Sequence, residues 1–257
     1  MTAQPVSHSQ DQFISKFLSL VTHELRSPLN AINGYLDLML EGMAGELSEQ
    51  QREFLQRARA GSEHLYTLLE DLLLAARADT GQLRLKRTTL SLDEVVEAAM
   101  EDLELTTRDA GVTIETMLPV DLPPFLGDAV RLQHALRNLL SNALRFTPAG
   151  GRVTISAHLL PSQDGGTPQM IEIRVQDTGY GIAPEYHERI FERFFRGPQP
   201  GGDRVSGQGL GLAVVRIIAE LHGGSVRVES TLGEGSTFVL ALHLAGTPLE
   251  QMVALDL

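Results

Sequence analysis

The chain contains no cysteine and no tryptophan. Without cysteine there is no disulfide scaffold, no thiolate metal site and no cysteine nucleophile, and a reducing compartment fits. Aromatic residues are only 5% of the 257, and basic residues are outnumbered, 21 Lys and Arg against 33 Asp and Glu, for a net charge of −12. An acidic chain poor in aromatics is a poor nucleic-acid or anionic-lipid binder, because it has neither the counter-charge for phosphates nor the rings for stacking. No stretch approaches the roughly 18 consecutive apolar residues of a spanning helix. The first 16 residues lack the basic start and apolar run of a signal peptide. No membrane segment is therefore expected, and the location expected is cytoplasmic. Hydrophobic residues make up 42% and charged residues 21%, too apolar for wholesale disorder. The length fits one large domain or two smaller ones.

The first third reads as a helical hairpin. From about Gln10 to Glu41, apolar residues recur at helical steps (Ile14, Val21, Leu25, Leu29, Ile32, Leu36, Met39). Pro28 lacks an N–H and crowds the preceding turn, so a kink is expected there. Gly42, Gly45 and Ser48 mark a loop, and a second helix follows from about Glu49. Its stripe of Phe54, Ala58, Gly61, Leu65, Leu68, Leu72 and Ala75 steps by four and three, close to a heptad seam. Two helices with such broad apolar faces are expected to pair with a second copy as a four-helix bundle. His23 lies about 200° beyond Val21 and so points away from the stripe.

The last two thirds read as an α/β layer. Residues 81–92 form a connector, and Ser91 with Glu94 makes a capping box for a helix to about Asp109. Val112–Glu115 alternates like a strand, Asp128 caps a helix to about Phe146, and strands follow at 152–160 and 170–176. A short helix begins near Pro184, residues 196–208 form a loop, and a helix runs from about Gly209 to His222. Strands at 225–231 and 236–244 close the layer. Helices over a mostly antiparallel sheet make a two-layer sandwich. The domains expected are 1–80, 93–246 after the connector, and a tail at 247–257.

Three clusters carry chemistry. On the helix ending at Phe146, Arg131, His134, Asn142 and Arg145 lie within about 40° of Asn138, opposite a leucine stripe. At a strand end, Asp177-Thr178-Gly179-Tyr180-Gly181 sets a carboxylate beside two glycines, suited to a buried acceptor with close backbone approach. Gly207-Gln208-Gly209-Leu210-Gly211-Leu212 leads into a helix, where backbone N–H groups meet phosphate. It is no P-loop, because no Lys-Ser/Thr follows. Nor is it a dinucleotide fingerprint, because no strand leads in.

These residues resemble those of two-component sensor histidine kinases. His23-Glu24-Leu25-Arg26-Ser27-Pro28 resembles the phosphoacceptor box, and Asn138-Leu139-Leu140-Ser141-Asn142-Ala143 the asparagine box. Asp177–Ile182 resembles the first glycine box, Phe191–Arg196 the phenylalanine box, Gly207–Leu212 the second glycine box and Gly233–Phe238 the last. Six boxes in family order over about residues 12–245 make the likeness specific. It implies a dimerisation and phosphotransfer hairpin, contacting its twin through residues 10–80, followed by a Bergerat-type ATP-binding domain. The reaction implied is transfer of the γ-phosphoryl group of ATP to His23 and onward to an aspartate of a response-regulator receiver domain.

The resemblance also implies roles. Glu24 orients or deprotonates the imidazole, and Ser27 takes part in any reverse phosphatase activity. Asn142 supplies an oxygen to Mg2+ on the phosphates, Asn138 supports it, and Arg145 contacts phosphate. Asp177 accepts the adenine amino group, with Gly179 and Gly181 passing close to the base. Gly207, Gly209 and Gly211 frame the phosphates, and Phe194 and Phe195 anchor the lid at 196–208. Phe146, Ile182, Leu210, Leu212 and Thr237 complete the nucleotide set. Ser27 stands where threonine is commoner, and Arg145-Phe146 replaces a frequent Lys-Tyr pair. Only 22 residues precede His23. With no upstream sensor module in the chain, the expectation is an excised catalytic fragment rather than a kinase signalled by a separate protein. Rival readings are another Bergerat enzyme, such as a serine kinase, and a nucleotide-binding scaffold. His23 with its hairpin argues against the first and the intact boxes against the second.

Overall fold

The computed structural model describes residues 24–101, 103, 107, 110–161, 169–197 and 208–244. The chain divides into two compact units, Met1–Leu83 and Arg84–Leu257.

In the first unit, helix α1 covers residues 24–40 of the described chain and runs on through Pro28. Residues 41–48 turn, with Gly42 and Gly45 at φ of 83° and 106°. Helix α2, Glu49–Asp79, starts on a capping box: the Ser48 hydroxyl accepts from Gln51 N at 3.2 Å, and the Gln51 side chain accepts from Ser48 N at 2.8 Å. Arg26 pairs with Glu70, and Arg59 with Asp37 at 3.2 Å, which ties the antiparallel helices at both ends of α1. The apolar stripe is only partly covered within one chain. Leu29 and Leu73–Ala76 are buried, whereas Ile32, Phe54 and Leu65 remain 48%, 59% and 47% exposed.

In the second unit, β1 (Thr88–Leu90) pairs antiparallel with β3 (Phe125–Gly127) as a small separate sheet. Residues 88–90 thus belong to the second unit's framework, where a connector was expected; three-residue strands are too short to show alternation. Helix α3 is Leu92–Glu101 and β2 is Thr113–Met117. The expected extension of α3 to Asp109 falls largely outside the described residues. Helix α4 (Ala129–Phe146) is capped by the Asp128 carboxylate, which accepts from Arg131 N at 3.2 Å. Strands β4 (Arg152–Leu160) and β5 (Met170–Asp177) precede two 3-10 turns at Pro184–Tyr186 and Arg189–Phe191, then helix α5 (Gly211–Leu221), β6 (Ser225–Thr231) and β7 (Gly235–His243).

The five-stranded sheet has the order β2-β4-β5-β7-β6, with β2 parallel to β4 and every other pairing antiparallel. Period-two alternation turns Val153, Ile155, Ile171, Ile173, Val175, Phe238 and Leu240 to one buried face. The helices cover it. Leu132, Leu136, Leu139 and Leu140 of α4 and Val214, Val215 and Ile218 of α5 are at most 1% exposed. Burying one such leucine contributes about 1.5–3 kcal/mol. On the other face Val239 pairs with Arg174 and Arg227 and is fully buried. These arginines bridge Glu172 and Glu229 at 2.5–3.4 Å, so an ionic roof seals that strand.

Candidate functional site

The site in the second unit is built where the C-terminal end of α4, the end of β5 and the turn into β7 meet. The Asp177 side chain is 4% exposed. Its Oδ1 accepts from Gly179 N at 2.8 Å and from Ser236 N at 3.2 Å. No described residue donates to Oδ2. Burial raises the Asp177 carboxyl above its ordinary value, and the two backbone donors offset this only in part.

Three glycines around the Asp177 turn lie close against neighbouring backbone. Gly181 has φ +69°, and a Cβ there would lie 2.0 Å from Thr231 O. Gly235 has φ +101°, and its Cβ would lie 2.1 Å from Asp177 O. Any larger residue at either position breaks the cradle. Gly179 presses on the Phe146 carbonyl, which also accepts from Tyr180 N at 3.3 Å, so the end of α4 is joined to the Asp177 turn. Ile182 N donates to Ser230 Oγ at 2.8 Å, and that hydroxyl donates to Gly235 O at 2.8 Å.

The asparagine face of α4 lies alongside. Asn138 and Asn142 are half-buried and Arg145 is exposed, while His134, expected on the same polar face, is buried at 7%. The Asn138 amide donates to Gly211 O at 3.2 Å and so ties α4 to the first residue of α5. Although Arg145 as a residue is exposed, its guanidinium is crowded by neighbouring atoms, and this desolvation, followed by the positive charge of Arg196, pushes it below its usual value. Two like charges drawn together in this way suit an anion. Helix α5 has no side-chain cap at its N-terminus, and Leu210 there is buried with Leu212 half-buried, so its first N–H groups are not taken by a cap.

The carbonyl of Gly209, at φ +71°, accepts from Phe194 N at 2.8 Å. Phe194 itself sits at φ 62° and is 63% exposed, while Phe195 stacks under Arg189 at 4.3 Å. Gly207 lies outside the described residues.

One placement differs from expectation. Thr237 pairs with Gln176 on the sheet face away from Asp177, and Ser236, one residue earlier, pairs with Asp177. A shift of one along a strand reverses the face. Sequence reasoning missed Ser236, Gly235 and Ser230 as supports of the carboxylate; the signal was the small residues around the Gly-x-Gly turn. In the first unit, His23 lies outside the described residues. Glu24 and Ser27 are both exposed on α1 just after it. Among the described residues no helix is long and apolar enough to cross a membrane.

Two family models match the sequence. The His Kinase A (phospho-acceptor) domain matches residues 13–81, and the histidine kinase-, DNA gyrase B-, and HSP90-like ATPase matches residues 127–246. Histidine protein kinase DivJ of Caulobacter vibrioides is 38% identical over 237 residues, which cover 91% of this chain and 38% of that protein. Among solved structures, full-length ShkA in complex with AMPPNP superposes with a TM-score of 0.67 at 31% identity, over 91% of this chain and 47% of that one. The histidine kinase AdeS of Acinetobacter baumannii gives 0.59 at 25% identity, over 87% of this chain and 98% of that one. The chain spans less than two thirds of the length of the curated relatives it matches.

Proposed function

The chain belongs to the histidine kinase family, and from that premise we propose that it moves the γ-phosphoryl group of ATP to the imidazole of its own His23. The reading places residues 1–80 as the dimerisation and phosphotransfer hairpin and 93–246 as the ATP-binding domain. The observation that carries the nucleotide half is Asp177: a buried carboxylate with one oxygen held by two backbone N–H groups and the other with no described donor. A fixed, desolvated acceptor of that kind suits the adenine amino group, and the glycine cradle leaves no side chain between them.

The phosphate end is read from α4 and α5. Arg145 offers charge-assisted donors, and the uncapped α5 N-terminus adds backbone N–H groups with a favourable dipole. Asn142 offers a neutral amide oxygen near them. That donor suits Mg2+, which binds through few protein oxygens and keeps phosphate and water in its shell. Mg2+ there would neutralise charge on the phosphates. Asn138 holds α4 against Gly211 and positions Asn142 one turn further along.

In the transfer, one nitrogen of neutral His23 attacks the γ-phosphorus, the bond to the β–γ bridging oxygen breaks, and ADP leaves. The other ring N–H needs an acceptor, and Glu24, adjacent on α1, is assigned that part. Ser27, four residues after His23 in sequence, would hold a water for the reverse hydrolysis. The half-covered apolar stripe of the hairpin supports the homodimer. The acceptor of the phosphoryl group is an aspartate of a receiver domain, and the chemistry runs on the cytoplasmic side, where ATP is available.

The test is incubation with γ-labelled ATP and magnesium beside a His23→Gln variant. Acid-labile, alkali-stable label on the wild type alone is expected. Acid-stable label, or label that persists in the variant, overturns the assignment.

A further inference from the structure

The second unit has an open sheet edge beside an acidic groove, and neither takes part in the nucleotide site. Strand β2 lies at the end of the five-stranded sheet, and among the described residues nothing pairs with its outer side. Thr113 N donates to Gly151 O at 3.1 Å, on the β4 side. Along a parallel pair the inward and outward backbone groups alternate, so the N–H and C=O of Ile114 and Thr116 face outward. Between this edge and α3 runs a groove of about 830 Å³. Its floor is apolar, formed by Val96 and Met100 from α3 and by Ile114 and Leu118. Its rim carries the exposed carboxylates of Asp93, Glu97 and Glu101, spaced by four residues along α3, and none of the described residues that line it is basic.

An unpaired edge is a template for strand addition, and natural proteins usually blunt one with lysine, proline or a bulge. β2 has none of these. The occupant must satisfy backbone donors and acceptors, fill an apolar floor and neutralise three carboxylates. We infer that this groove receives an extended, basic segment of a partner protein, which adds as a sixth strand along β2. Its apolar side chains enter the groove over Ile114 and Leu118, and its Lys or Arg side chains reach Glu97 and Glu101. Recognition by strand addition draws affinity from main-chain bonds and specificity from alternate side chains, which matches this pairing of edge and rim. The three carboxylates on the rim also speed encounter with a cationic segment.

The test uses the full chain and a ten-residue peptide of alternating lysine and valine. Three comparisons accompany it: a glutamate–valine peptide, a lysine peptide with proline at alternate positions, and a Glu97→Lys/Glu101→Lys variant whose unchanged ATP binding reports an intact fold. The lysine–valine peptide should bind and should slow amide exchange at Ile114 and Thr116. Its affinity should drop at least tenfold in the variant and at least tenfold again with the proline peptide, which keeps the charge but cannot donate to an edge. Equal binding of the proline peptide, or binding unchanged in the variant, would mean nonspecific attraction to an acidic protein and overturn the proposal. So would protection of Ile114 and Thr116 that rises with protein concentration without peptide, because a second copy would then cover the edge.

Discussion

Asp177 and His222 are both buried, and burial pushes each towards its neutral form. For Asp177 the consequence is a conflict between stability and binding. Its charged form is disfavoured in the fold, so the carboxylate costs stability once pH rises through its raised value, and none below the ordinary carboxylate range. Asp177→Asn keeps an oxygen for Gly179 N and Ser236 N and removes the charge. The nucleotide-free variant should melt at or above the wild-type temperature, while its affinity for adenosine nucleotides falls roughly 10–100-fold, the worth of a lost buried acceptor. Calorimetric titration and a thermal scan read both effects. A variant that melted well below wild type and bound ATP normally would make Asp177 merely structural.

His222 works in the opposite sense. Its Nε2 accepts from Asp128 N at 3.0 Å, and its Nδ1 lies 2.8 Å from Ile218 O, an arrangement that only the neutral ring with a proton on Nδ1 completes. Desolvation, and then Arg87, lower its affinity for a proton, while Ile218 and Asp128 oppose them. A depressed value means that the stability His222 provides is present above about pH 6.5 and lost as pH falls below it. Urea unfolding at pH 7.5 and 5.5 should show this loss. His222→Gln, which can still accept from Asp128 N, should flatten the slope while lowering stability at pH 7.5.

At the scale of elements, two helices decide most. The start of α4 is a junction. The Asp128 carboxylate caps α4 and also accepts from Lys86 N at 2.8 Å, its own N–H reaches His222, and Arg87 donates to Leu221 O at 3.1 Å at the end of α5. Residues 86 and 87 are thereby fastened to the start of α4 and the end of α5. In the hairpin, α1 and α2 leave Ile32 and Phe54 about half exposed in a single chain, although the periodicity marks both as stripe positions. A carboxylate at position 32 would be buried without a partner in a four-helix bundle, at a cost of several kcal/mol. Ile32→Glu should therefore raise the dimer dissociation constant by at least a hundredfold with little loss of helix. Sedimentation equilibrium and circular dichroism test this, and a variant that stays dimeric would place the interface elsewhere.

Across the whole molecule, the division at residues 83 and 84 implies that each unit carries its own core. Residues 84–257 alone should unfold cooperatively and bind ATP within about threefold of the full chain, yet take up no label from ATP, because His23 is not among them. An unfolded fragment would mean that the hairpin supplies part of the second core. Most elements were legible without coordinates: the Asp128 cap, the leucine stripe of α4 and the alternation of β4, β5 and β7 are local patterns of side-chain chemistry. The six boxes, likewise, are short runs in chain order, and they were enough to indicate the family and its reaction. What periodicity could not reach were contacts between residues far apart in sequence. The β1–β3 pairing joins three-residue strands with no pattern of their own, and the Asp128–His222 bond spans 94 positions. The choice of Ser236 over Thr237 beside Asp177 depends on strand register, which only the pairing of β5 with β7 decides. Local chemistry along the chain thus determined which elements form and which family they belong to. Tertiary packing alone decided which oxygen of Asp177 takes the two backbone donors, that β2 forms the end of the described sheet and which histidine is held neutral, because each of these depends on what a distant segment brings alongside.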